Sequence, residues 1–354
     1  MRSFKYMLPL LGVMLLSACV TGIQDMQIDS IEMRIEDQDG KQVDELLPDT
    51  VYSIDFRVRD SSGELHLNPN YRDFRFSNLK HLELVQQARF SIKLRTDKST
   101  FHAADTDLYG FSLAVKGNPY PQQSYSFPLN WDGFTKVDYS GIDGKDGEDG
   151  DSGASASGEA ADEVEGGDGG DGSDGTRGYP GEDVTLVLSR YSYDGQQKLL
   201  LYAVEHQDLY LSEMKAMVVD ASGGEGGDGG RGGNGGTGRT FDDDPDPVPG
   251  VAGDPGDGGD GADGGYGGDI TLLAVEARLF NFIEPDAAGG EGGYGGAAGR
   301  AYADGDLAKV GREGRDGRDG RDGKVRYKTI TPREMRELLQ RIDAPGFELD
   351  TILY

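Results

Sequence analysis

The chain carries one cysteine, Cys19, and four histidines, His66, His81, His102 and His206. A thiol is the most reactive nucleophile an ordinary side chain supplies, and its setting decides what it does. Cys19 follows Leu16-Ser17-Ala18. Before these lies an apolar run from Tyr6 to Leu16, broken only by Pro9 and Gly12, behind Arg2 and Lys5. A basic start, a short apolar stretch and small residues mark a secretory signal, and the stretch is too short for a permanent membrane span. The histidines are isolated in sequence, with no His-x-His or His-Glu-x-x-His spacing, so no transition-metal site is expected. Asp242-Asp243-Asp244-Pro245-Asp246 places Asp242, Asp244 and Asp246 at alternate positions, as a calcium loop would. The glycine at the sixth place and the glutamate at the twelfth are missing, so a solvated acidic loop is expected, with calcium on these three carboxylates as the alternative. No Gly-x-Ser-x-Gly elbow and no phosphate loop occurs, and no catalytic residue is nominated.

Leu16-Ser17-Ala18-Cys19 resembles the lipobox of bacterial lipoproteins. The resemblance implies that residues 1–18 are a signal peptide cleaved between Ala18 and Cys19. It also implies a diacylglyceryl thioether on the Cys19 sulfur and an acyl chain, such as palmitate, on the new amino group. Residues 19–25 then form a lipid-anchored tether and the protein sits in the bacterial cell envelope. Val20, where an aspartate would resemble an inner-membrane retention signal, points to the outer membrane. No cofactor is expected beyond that covalent lipid and the calcium alternative.

The formal net charge is -29, or -31 once Arg2 and Lys5 are lost. Such a chain repels nucleic acid and anionic membrane surfaces. With a single cysteine it forms no internal disulfide, so burial and hydrogen bonding alone must hold it together.

Residues 26–138 alternate with the period of half-buried strands. Ile31, Met33 and Ile35 begin the series. Tyr52, Ile54, Phe56 and Val58 give the clearest strand, and Phe111, Leu113 and Val115 lead into Gly117-Asn118-Pro119. Phe90, Ile92 and Leu94, then Tyr125, Phe127 and Leu129, complete the pattern. The spacing is that of an antiparallel β-sandwich of Ig-like architecture.

Residues 139–330 are glycine-rich, with 49 of the 57 glycines between Gly141 and Gly323. They keep a step of three in six runs, several doubled, as in Gly226-Gly227-Asp228-Gly229-Gly230-Arg231. A step of three suits a left-handed extended helix with three residues per turn, which also underlies collagen. Three arrangements compete: a collagen-like triple helix, a flexible linker, and a polyglycine-II bundle with inserted β-strands. The doubled glycines fit the bundle, since an inner rod must touch neighbours on several sides. This texture resembles the glycine-rich bundles of phage tail-fibre tip adhesins and springtail antifreeze proteins. The phrases Asp183-Val184-Thr185-Leu186 and Asp269-Ile270-Thr271-Leu272 follow two glycine runs and indicate an internal repeat.

Residues 331–354 read as a short C-terminal helix and a docking tail. Thr331-Pro332 with Glu334 three residues on marks the helix start. The fold expected is therefore mainly β: the sandwich, the glycine-rich domain, and the terminal helix. The function expected is that of a non-enzymatic, lipid-anchored surface or periplasmic scaffold, an adhesin-like binding module. It would contact the membrane through its anchor and take a protein or glycan ligand, but no nucleic acid. A monomer is expected, with a collagen-like homotrimeric stalk as one alternative and a hydrolase with an acidic site as another.

Overall fold

The computed structural model describes residues 23–67, 69–89, 91–101, 108–156, 165–193, 195–238, 250–303, 306–342 and 347–353. The chain divides into two compact units. One comprises the chain up to Lys98 together with Thr106–Asn130, and the other comprises Ser99–Asp105 with Trp131–Tyr354.

The first unit holds two antiparallel sheets. One has the order β1 (Ile28–Glu36), β2 (Val51–Asp60), β6 (Ile92–Thr96), β5 (Leu82–Gln87), with β3 (Leu65–Leu67) also paired to β2. The other has the order β4 (Phe74–Lys80), β7 (Leu108–Val115), β8 (Gln123–Pro128). On β2, Tyr52, Ile54, Phe56 and Val58 are buried while the residues between them are half-exposed, as a period of two requires. Phe56 meets Phe74 at 4.5 Å between ring centroids, and Phe76 meets Phe111 at 5.3 Å.

In the second unit a mixed sheet has the order β12 (Asp208–Ser212), β11 (Gln196–Ala203), β10 (Val184–Tyr193), β14 (Ile270–Ala274), β18 (Val325–Thr329). The last three strands are parallel. The terminal strand β19 (Ile352–Leu353) pairs with β10. A parallel sheet of β15 (Ile283–Asp286), β13 (Met217–Asp220) and β9 (Lys136–Asp138), and the hairpin of β16 (Arg300–Ala303) with β17 (Asp306–Val310), complete the strands. Helix α1 (Pro332–Leu339) opens with a capping box: Thr331 Oγ1 accepts from Glu334 N, and Thr331 N donates to Glu334 Oε2 at 2.7 Å. Its Met335 and Leu339 enter a core with Phe101, Val187, Leu200, Tyr202, Leu211 and Ile352.

Six glycine segments join these sheets. Segments g1 (141–153), g3 (223–238) and g5 (289–299) leave the parallel strands β9, β13 and β15. Segments g2 (166–181), g4 (250–268) and g6 (311–323) arrive at the parallel strands β10, β14 and β18. Parallel pairing fixes the register of neighbouring segments, and backbone bonds then repeat at every third residue. The N–H groups of Gly144, Gly147 and Gly150 donate to the carbonyls of Glu225, Asp228 and Arg231, each at 2.7 Å. Those of Gly227, Gly230 and Gly233 donate from g3 to Thr176, Ser173 and Gly170 on g2. Segment g3 bonds in this way to g1, g2, g4 and g5, and its glycines are doubled; g1 and g6 bond to two neighbours each and carry one glycine per triplet. The reason is steric. A Cβ on Gly144 would lie 1.8 Å from the carbonyl oxygen of Thr176, and one on Gly230 would lie 2.0 Å from that of Glu148.

These observations correct the expected fold class. The chain does not build one Ig-like sandwich followed by a collagen-like or polyglycine-II domain. Among the described residues it folds as five sheets, three antiparallel, one parallel and one mixed, with two short α-helical pieces, α1 and residues 100–101, and the glycine segments are continuations of sheet strands. A collagen-like coil is excluded on a further ground: g3 bonds to four neighbouring segments, whereas a strand of a triple helix has two.

The third positions of the triplets explain much of the acidity. Asp143, Asp146 and Asp149 of g1 each accept, through Oδ1, the backbone N–H of Glu225, Asp228 and Arg231 at 2.8–2.9 Å. Asp168, Asp171 and Asp174 of g2 accept from Asp254, Asp257 and Asp260 at 2.7 Å. Asp257, Asp260 and Asp263 of g4 accept from Arg312, Arg315 and Arg318. An extended segment makes no hydrogen bonds within itself, so every N–H needs an outside acceptor, and a carboxylate beside each glycine supplies one. These carboxylates are therefore framework groups rather than free ligands, as a binding role for third-position side chains would require. Replacing Asp257, Asp260 and Asp263 together by Ala is expected to lower the unfolding midpoint by roughly 5 °C, whereas Asn, which keeps the acceptor oxygen, holds it within about 2 °C. Thermal unfolding followed by circular dichroism distinguishes the two.

Acid acts on a further framework carboxylate, Asp269, which accepts the N–H of Lys324 at 2.7 Å. The N–H of Lys324, then the Arg326 side chain, hold the Asp269 carboxyl below the usual range. A depressed folded-state value contributes stability that is full above the unfolded value near ~4 and is lost as pH falls through the folded one. Thermal scans in the same series should show a midpoint that is level above ~pH 5 and falls below ~pH 4.

Candidate functional site

The second unit carries a groove of about 680 Å³ lined by residues of three glycine segments: Ile142, Asp143 and Lys145 of g1, 176–180 of g2, and Gly265 and Tyr266 of g4. Backbone bonds set its floor. Tyr179 N donates to Ile142 O at 2.8 Å, Gly181 N donates to Tyr266 O at 2.8 Å, and Tyr179 O accepts from Gly224 N at 2.9 Å. A Cβ on Gly265 would lie 1.9 Å from Tyr179 O, so the two backbones are in contact under the groove. Pro180 restricts Tyr179 to extended conformations.

The side chains on this floor are exposed: Ile142 by 73%, Tyr179 by 63% and Tyr266 by 48%. The Arg177 guanidinium lies over the Tyr266 ring, 5.3 Å from its centroid, an arrangement that fixes the ring and leaves its other surface open. Thr176 Oγ1 accepts from Lys145 N at 2.6 Å and so ties g2 to g1 beside the groove. The ionisable groups at hand are Asp143, Lys145, Arg177 and two phenols, and Asp143 Oδ1 is occupied by the N–H of Glu225. The arrangement offers aromatic faces and hydrogen-bonding cations to a ligand. It sets no nucleophile beside a base, which acyl or glycosyl transfer would need.

A second cluster lies in the first unit, where the Ser61-Ser62-Gly63 turn folds β3 back on β2 and Gly63 adopts φ +89°. Ligand atoms of Asp60, Glu64 and His66 lie within 4.8 Å of one another, with Glu64 exposed and the other two half-buried. Asp60 Oδ1 accepts from Ser62 N, Ser62 Oγ and Glu64 N, and its Oδ2 is 2.9 Å from His66 Nε2. The Ser62 hydroxyl, then His66, hold this carboxyl well below the usual range. Two carboxylates and an imidazole at this separation could hold a divalent ion, the imidazole suiting a transition metal better than calcium. The same contacts serve as a hairpin clasp.

This corrects the reading of the histidines as isolated. His66 meets Asp60, His81 Nδ1 lies 3.3 Å from Asp97, and His206 Nδ1 lies 3.5 Å from Glu182. The signal for the first was present as Asp60-x-x-x-Glu64-x-His66, a spacing that becomes compact only once the turn between β2 and β3 is known. The groove had no comparable signal, because Ile142, Tyr179 and Tyr266 are 37 and 87 residues apart and meet only through the register of the glycine segments. Ala18, Cys19, His102 and the calcium candidates Asp242, Asp244 and Asp246 lie outside the described residues. No family model, curated protein or solved structure matches this chain, so likeness to known proteins lends nothing to the terms lipoprotein, signal peptide, palmitate, outer membrane, adhesion, collagen-like, polyglycine II or β-sandwich, and the mixed multi-sheet fold stands in place of the last three.

Proposed function

We propose that the protein is a non-enzymatic binding scaffold of the bacterial cell envelope, held to a membrane by lipid on Cys19, whose ligand seats on the groove of Ile142, Tyr179 and Tyr266. The observation that carries this reading is the groove itself. Exposed aromatic rings are set on a floor of backbone hydrogen bonds, and few of their neighbours are free for anything but binding. Rigid Tyr side chains give large contact area for little ordering entropy. The reading takes the protein as a monomer. The Asp60, Glu64 and His66 cluster supports a structural clasp, with a divalent ion as an optional occupant, rather than a reaction centre.

The test uses isolated cell envelopes as the probe. A soluble form beginning after Cys19 should be retained on them, and Tyr179→Ala with Tyr266→Ala should weaken retention by at least about tenfold while leaving the unfolding midpoint unchanged. Equal retention of the double variant would remove the groove from the account. In the full chain, Cys19→Ser should abolish incorporation of a labelled fatty acid and release the protein from the membrane fraction. A serine variant that stays labelled and bound would refute the anchor.

A further inference from the structure

Segment g6 reads Gly311-Arg312-Glu313-Gly314-Arg315-Asp316-Gly317-Arg318-Asp319-Gly320-Arg321-Asp322-Gly323, neutral by count. The structure separates its charges. Asp316, Asp319 and Asp322 turn toward g5, where their Oδ1 atoms accept the N–H groups of Gly295, Gly292 and Gly289 at 2.8, 3.0 and 3.0 Å. Arg312, Arg315, Arg318 and Arg321 are exposed. Their neighbours Lys309 and Arg326 pair with Asp254 and Asp269, but among the described residues these four guanidiniums enter no ion pair. The bonds of g6 recur at every third residue, so the four guanidiniums recur along one edge of an extended segment, about 10 Å apart. The row runs on into β18, an edge strand whose five residues are all exposed, including Lys328 and Tyr327. The Tyr327 ring is 53% exposed and is steadied edge-on by Phe280 at 5.4 Å.

We infer that Arg312, Arg315, Arg318 and Arg321, continued by Tyr327, form a linear binding site for a carboxylate-bearing polysaccharide. Each guanidinium presents a fork that matches a carboxylate, and the exposed phenol offers a face to a sugar ring. The charge spacing suits a polymer with about one carboxylate per sugar, whereas double-stranded DNA, with one charge per ~1.7 Å, is far denser than the row. A second copy of the chain fits less well for a steric reason. The single glycine of each g6 triplet faces inward, where a Cβ on Gly314, Gly317 or Gly320 would strike the carbonyl oxygens of Gly259, Ala262 or Gly265 at 1.7–1.9 Å. The outer edge keeps its bulky side chains, so no further backbone can lie against it.

The test is titration calorimetry of the soluble chain with polygalacturonate oligosaccharides, with uncharged dextran as control. The wild type should bind the uronate polymer, more weakly as salt is added, and should ignore dextran. Replacing the four arginines by Gln should weaken binding at least about tenfold with an unchanged unfolding midpoint, because their backbone N–H groups remain. Replacing them by Lys, which keeps the charge but not the fork, should give binding between that of the wild type and that of the Gln variant. The double variant of Tyr179 and Tyr266 should bind the polymer like wild type, which separates this site from the groove. Equal binding by the Gln variant, or equal binding of dextran, would overturn the inference. So would a wild type that ignores the polymer but self-associates through the arginines, since that result assigns the row to a second copy.

Discussion

Gly230→Ala is expected to destabilise the second unit by about 3 kcal/mol, at the upper end of the usual cost of overpacking. The added methyl would lie 2.0 Å from the carbonyl oxygen of Glu148 and 2.5 Å from its carbon, and neither is the movable end of a side chain. Relief requires g3 to move away from g1. Gly230 N also donates to Ser173 on g2, and its carbonyl accepts from Gly259 on g4, so a shift that relieves one contact lengthens bonds to two other segments. Glu291→Ala, on an exposed third position of g5, serves as the control and is expected within about 0.5 kcal/mol of wild type. Equilibrium denaturation of both variants checks this. A Gly230→Ala protein as stable as the control would mean that the segments do not touch as described.

Phe101→Ala should cost the second unit about 3–5 kcal/mol, the usual range for emptying a buried phenylalanine site. Residues 99–101 belong to the second unit. There Phe101 is 1% exposed and packs edge-on against Tyr191 at 5.7 Å and Phe347 at 5.8 Å. Beside it Thr100 Oγ1 accepts from Leu211 N at 2.6 Å and donates to Leu211 O at 3.0 Å, which pins the segment to the free side of β12. Denaturation monitored separately for the two units should show the loss in the second. An unchanged midpoint there would show that the segment is not part of its core.

The strands were the most legible part of the sequence, because burial on one face leaves an alternating record: Tyr52, Ile54, Phe56 and Val58 are buried as the pattern requires. The start of α1 was legible for a local reason, since Thr331, Pro332 and Glu334 satisfy the first turn's N–H groups without help from elsewhere. Architecture was not. Nothing local tells Phe74 and Phe56 that they belong to different sheets, or Phe101 that it belongs to another unit. The step of three was visible in g1 through g6, but the partner of each glycine depends on parallel strands as much as 86 residues apart, such as Val184 beside Ile270. The alternation of Arg and Asp in g6 does not show that a backbone N–H of g5 holds each aspartate. The groove and the arginine row share that origin: both are made by register, and register is set by the sheets at the ends of the segments.

Amide hydrogen exchange across g3 and g4 measures the central claim most directly. If backbone bonds between segments hold them in place, the N–H groups of Gly227, Gly230, Gly233, Gly259 and Gly265 should exchange only with global unfolding of the second unit. Exchange of those five amides at the rate of an unstructured peptide, in a sample whose β10 and β11 amides remain protected, would contradict it.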